Sequence, residues 1–136
     1  MSNPINIKDA KAWTKKWQDD NPKHAKGFLI PVDDLLACMS EMGLTITKNS
    51  DGVYESNNSN ARIRAYMGID VNNLSEGFGE KLVYVGTVQD EGIYKDIVEE
   101  GSYPTGGNIT RIGSGAFDFT NPCPNECDPN SSLYHK

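Results

Sequence analysis

"ARIRAYMGID", Ala61 to Asp70, is the stretch whose reading decides the fold. Its apolar residues alternate: Ala61, Ile63, Ala65, Met67 and Ile69 fall on one side, and Arg62, Arg64, Tyr66 and Asp70 on the other. A period of two marks a strand, because successive side chains of extended backbone point to opposite faces. Leu82 to Val88 reads the same way, with Val83 and Val85 opposed to Leu82, Tyr84 and Val88. The connection Val71 to Glu80 carries Gly77 and Gly79 and is too short for a helical crossover, so the two strands should pair antiparallel.

Upstream, Leu44-Thr45-Ile46-Thr47 alternates and is turned by Asn49-Ser50-Asp51-Gly52 into Val53-Tyr54-Glu55, which predicts a hairpin. The polar run Ser56 to Asn60 reads as a linker. Downstream, Ile93 to Val98 fits either a strand or one helical turn. Gly101 to Gly115 holds five glycines and a proline and reads as a long loop. Ala116 to Phe119 would make a last edge strand.

The N-terminal third has the helical period instead. Ile7, Ala10, Trp13, Thr14 and Trp17 recur at spacings of three and four, with Asn6 as a cap and Asn21-Pro22 as a stop. Trp13 and Trp17 lie one turn apart and should anchor this helix onto the sheet; gripping a ligand is the alternative. Lys8, Lys11, Lys15 and Lys16 then form its solvated face. A second helix begins at Pro31, with Asp33 and Asp34 in its first turn and Gly43 as a left-handed stop. Its apolar stripe is Val32, Leu35, Leu36, Met39 and Met42, with Cys38 beside it as a buried thiol.

Length and composition bound the function. The 136 residues fit a single domain, in which residues 1–43 are helical, residues 44–120 form the sheet and residues 121–136 make a Pro/Cys tail. A net charge of −6 argues against a nucleic-acid surface, which needs clustered Lys and Arg. No apolar run approaches the roughly 20 residues of a membrane helix, and the N-terminus lacks the pattern of a secretory signal. Three cysteines make no disulfide scaffold, and a cytoplasmic setting would keep them as thiols. Catalysis needs a nucleophile beside a base, and neither histidine, His24 nor His135, stands in a recognisable set. The run Arg111 to Gly115 lacks the Gly-Lys-Ser/Thr ending of a phosphate loop, so no cofactor is expected there. Arg62, Arg64 and Tyr66 form a polar ladder, either a solvated sheet face or a seat for an anion.

The tail "NPCPNECDPN", Asn121 to Asn130, holds the most specific pattern. Cys123 and Cys127 have a spacing found among zinc ligands, and His135 could be a third ligand of a tetrahedral site. The same segment reads otherwise as a stiff coil fixed by prolines, or as two thiols that form a disulfide under oxidation.

Taken together, Trp13, Arg62 to Asp70, Glu80 to Thr87 and the tail Asp118 to Cys127 resemble a family of small uncharacterised Bacteroidetes proteins. Their shared features are a Trp-bearing first helix, "RIRAYMGID"- and "EKLVYVGT"-like strands and a PCPxxC-type tail. The resemblance spans most of the chain. It implies no activity, but it implies that the cysteine tail is a family feature. The sequence thus predicts an α+β domain: two N-terminal helices on one face of a small, mainly antiparallel sheet, closed by a loop-rich C-terminus. The expected function is non-enzymatic and cytoplasmic, through a protein partner or a homo-oligomer, with no catalytic residues. The alternative is a small zinc-binding protein using Cys123, Cys127 and His135.

Overall fold

A computed structural model describes residues 3–72, 79–98, 116–117, 121–123 and 127–135 of the chain. The glycine-rich 101–115 stretch, Gly77-Phe78, Glu99-Glu100 and the Pro124–Glu126 stretch of the tail lie outside these described residues. The elements run α1 (Ile7–Asp20), β1 (Gly27–Leu29), α2 (Val32–Glu41), β2 (Ile46–Lys48), β3 (Tyr54–Ser56), β4 (Ile63–Ile69), β5 (Glu80–Asp90), β6 (Ile93–Asp96), β7 (Ala116–Phe117) and β8 (Asn121–Cys123). The class is α+β, as the sequence predicts. The strands are divided among three groupings rather than one sheet: β1-β8, β2-β3, and β4-β5-β6 with β7 also on β5.

By their contacts the residues form two compact units. Unit 1 takes in Pro31–Tyr66 and Val83–Phe119; unit 2 takes in Ser2–Ile30, Met67–Leu82 and Thr120–Lys136.

In unit 1, α2 begins after Pro31, which caps with extended backbone and no side-chain bond, so the helix starts one residue later than the proline-first reading. It stops as expected. Gly43 takes φ 73°, its N–H donates to the Ser40 carbonyl, and the Leu44 N–H donates to the Met39 carbonyl. The apolar stripe is displaced from its predicted centre. Cys38 is fully buried, whereas Val32 and Leu36 are 68% and 45% exposed. Burial, with help from Glu41, pushes the Cys38 thiol up to about 11.

Strand β5 runs through the core because both of its faces are covered from Tyr84 to Thr87. Tyr84, Val85 and Ile97 are each 2% exposed. Burial holds the Tyr84 phenol above its ordinary range, and Asp34 and Cys38 add to the effect. The Ile93–Asp96 segment resolves as a strand. It pairs antiparallel with β5, Thr87 opposite Asp96 and Asp90 opposite Ile93, around a two-residue turn. Glu91 and Gly92 take φ 51° and 80° there, as this turn requires. Farther along β5, Tyr84 and Val85 face Phe117 and Ala116 of β7.

In unit 2, Asn6 caps α1 as predicted, its side chain accepting from the Lys8 N–H at 2.8 Å. The tryptophans do not anchor the helix: Trp13 is 62% and Trp17 46% exposed. The covered face is instead Ala10, Thr14 and Gln18, which share one side at a spacing of four. Gln18 is buried because main chain meets it at both ends. Its amide donates to the Leu133 carbonyl at 2.8 Å, and its oxygen accepts from the His135 N–H at 2.7 Å. The Trp17 indole N–H donates to the Ala25 carbonyl. The tail is more than a coil: β8 pairs antiparallel with β1, Gly27 opposite Cys123 and Leu29 opposite Asn121.

The alternation in Ala61 to Asp70 does set β4, but its apolar side is open at the far end. Met67 and Ile69 are 61% and 66% exposed. Among the described residues, no helix is long and apolar enough to cross a membrane.

Candidate functional site

A cleft of about 780 Å³ lies within unit 1. That volume falls among ligand-binding cavities, which run from roughly 300 to 1,000 Å³. Three segments build it. α2 and its exit supply Leu36, Met39 and Met42; the hairpin supplies Ile46 and Tyr54; Ala61 and Ile63 close it at the start of β4. Leu36 and Met39 lie three apart and therefore share a face of α2.

The hairpin orients its wall through strand alternation. Ile46 and Lys48 of β2 point to one side, as do Tyr54 and Ser56 of β3. Register places Ile46 opposite Ser56 and Lys48 opposite Tyr54. The turn holds this register: the Asn49 side chain accepts from the Asp51 and Val53 N–H groups, both at 2.9 Å, and Gly52 takes φ 80°. The Glu55 carboxylate accepts from Asn49 Nδ2 at 2.8 Å, and Glu55, Ser56 and Arg62 are the polar residues of the cleft lining. Lys48 Nζ stands 5.7 Å from the centre of the Tyr54 ring. The Arg62 guanidinium donates to the Ser59 and Ala61 carbonyls at 2.9 and 2.8 Å.

The cleft walls are apolar yet partly open to water, with Leu36 45%, Ile46 36% and Tyr54 68% exposed. Two methionines in the wall suit it to occupants of varied shape, since their unbranched side chains adapt. Such an arrangement can bind.

The residues singled out from the sequence are distributed elsewhere. Arg64 is ion-paired with Asp96, which also accepts from the Tyr66 hydroxyl, and Arg64 donates to the Tyr94 carbonyl at 3.1 Å. Two members of the polar ladder, Arg64 and Tyr66, are thus closed by a carboxylate of β6, which holds the Arg64 guanidinium against deprotonation, whereas Arg62 turns to backbone carbonyls. His24 Nδ1 lies 2.7 Å from Glu80 Oε1. Glu80 is 7% exposed, and its second carboxylate oxygen has no hydrogen-bond partner among the described residues. No Ser, Thr or Cys is hydrogen-bonded to the His24 ring among the described residues.

In the tail, Cys127 is disulfide-bonded, whereas Cys38 is a free thiol; Cys123 is the remaining cysteine of the chain. In that state Cys127 offers no thiolate to a metal. The His135 ring lies 3.3 Å from the Thr14 hydroxyl, and its carbonyl accepts from Lys26 Nζ at 2.6 Å. Lys26 also stands 4.4 Å from the centre of the Tyr134 ring. Among the described residues no three His, Cys, Asp or Glu side chains gather as a metal site.

No protein-family model, curated protein or solved structure matches the chain.

Proposed function

We propose that this is a non-enzymatic binding protein whose unit-1 cleft receives apolar side chains of a partner protein; the Cys127 disulfide runs against the cytoplasmic setting expected from the sequence. The observation that carries this reading is the cleft itself: a single concave wall of Leu36, Met39, Ile46, Tyr54 and Ile63, with several of these groups left in contact with water. Exposed apolar side chains gathered in one hollow gain free energy when a partner covers them, at about 25 cal/mol per Å². Self-association belongs to the same reading, with a second copy as the partner.

A peptide-display selection on the immobilised protein tests it. Peptides rich in aliphatic residues should be enriched on the wild-type chain and lost on Leu36→Glu. Leu36 is exposed enough to accept a charge, and circular dichroism would check that the variant is folded. Equal enrichment on both proteins, or none on either, would overturn the proposal. The zinc reading of Cys123, Cys127 and His135 requires the Cys127 disulfide to be opened first, and so it ranks below the cleft.

A further inference from the structure

Unit 2 holds a side-chain pair that packing alone does not explain. His24 lies in the connection after α1, and that connection is pinned on both sides of it. The His24 N–H donates to the Asn21 carbonyl at 3.1 Å, and the Trp17 indole N–H donates to the Ala25 carbonyl at 3.0 Å. Glu80 is the first residue of β5 and follows Gly79, whose carbonyl accepts from the Asp70 N–H at 2.8 Å. Nδ1 of His24 stands 2.7 Å from Oε1 of Glu80, and the two side chains differ in exposure: 57% for His24 and 9% for Glu80.

A carboxylate only accepts, so Nδ1 carries the proton, and in the neutral ring the lone pair is on Nε2. The buried Glu80 side chain fixes that tautomer. Nε2 is then the basic nitrogen of a ring that is more than half in water. A buried carboxylate whose second oxygen has no hydrogen-bond partner among the described residues costs stability. It gains interaction when the ring turns cationic, because the hydrogen bond to Nδ1 then joins two full charges. An electrophile that bonds to Nε2 produces that cation. No hydroxyl or thiol bonds to the ring among the described residues, so the imidazole is itself the nucleophile. Lys23 and Lys26 flank His24 in sequence, and cations favour an anionic electrophile over an acyl or alkyl one.

We propose that His24 is a phosphoryl acceptor, modified at Nε2, with Glu80 as its positioning residue. The proposal is independent of the unit-1 cleft. The Nε2 lone pair attacks the phosphorus of a phosphoramidate, the class to which a phosphohistidine of another protein also belongs. The new N–P bond forms as the donor's P–N bond breaks, and the donor nitrogen, already protonated, leaves as a neutral amine with the bonding pair. The ring keeps its Nδ1 proton and becomes cationic against the Glu80 carboxylate. A ring open to water suits this step, because the donor arrives on another molecule.

The test treats the whole chain with potassium phosphoramidate and locates the label by mass spectrometry, with His135 as the reference histidine. His24 should be labelled at least about tenfold faster than His135, and Glu80→Gln, which keeps an acceptor but removes the charge, should slow His24 about ten- to hundredfold, the range of a hydrogen bond to a charged group. Phosphorus NMR should place the group on Nε2. His24→Asn should lose this label, and His135→Asn should keep it. Circular dichroism checks that Glu80→Gln folds; if it does not, the wild-type rate ratio and the position of the label still decide. No label on His24, equal labelling of the two histidines or attachment at Nδ1 overturns the proposal. Equal rates in wild type and a folded Glu80→Gln chain overturn it as well.

Discussion

Gly86→Ala offers a direct measure of how tightly the unit-1 core is closed. A Cβ placed on Gly86 would stand 2.4 Å from Met42 Cγ, 3.0 Å from Met42 Sδ and 3.6 Å from Ile97 Cδ1. The first distance is far inside van der Waals contact, so Met42 must leave its position. Overpacking of this kind costs about 1–3 kcal/mol. Against it stands a gain of about 0.4–1 kcal/mol, because alanine narrows the unfolded ensemble where the native backbone suits it. The Gly86 backbone is not left-handed, so that gain is available. The net expectation is a loss of about 1–2 kcal/mol, the clash prevailing. Urea unfolding followed by circular dichroism measures it. A double-mutant cycle with Met42→Ala isolates the cause: Gly86→Ala should cost at least about 1 kcal/mol less once the Met42 side chain beyond Cβ is gone. A Gly86→Ala chain as stable as wild type, or one equally destabilised in both backgrounds, would refute the packing argument.

Two further outcomes follow from the geometry. Gln18→Ala strands the Leu133 carbonyl and the His135 N–H, so unfolding should become easier by about 1–3 kcal/mol and the His135 amide should exchange faster by NMR; an unchanged exchange rate would show that Gln18 does not hold the tail. The Cys38 thiol ionises near 9.0 when unfolded but is held protonated to about 11 when folded, so its contribution to stability is present below pH 9 and lost as pH rises from 9 to 11. Wild type should lose stability over that window more steeply than Cys38→Val, and parallel pH profiles would sink the assignment.

Much of this chain is legible where a regular pattern extends over a whole element. The alternation from Ala61 to Asp70, the Asn6 cap, the Asn49–Gly52 turn and the Gly43 stop all rest on local chemistry, and the structure has each. β1 and β8 escape because three-residue strands carry no readable period; they exist through pairing with each other. The tryptophans mislead because hydrophobicity marks which face can be buried, whereas partners decide which face is. On α1 the neighbouring stripe of Ala10, Thr14 and Gln18 is covered, and small and polar residues at a spacing of four were the available signal. The cleft was not legible at all. Its walls come from segments near residues 36–46, 54–56 and 61–63, and only the folded hairpin and helix exit bring them to one hollow.

Both tryptophans lie on α1, and unit 1 has none. Indole emission from this protein therefore reports a single unit. Because Trp13 and Trp17 already face water, unfolding should move their emission little. A blue shift at rising protein concentration would instead mean that something has covered α1, so self-association through that helix has an optical signature that needs no label.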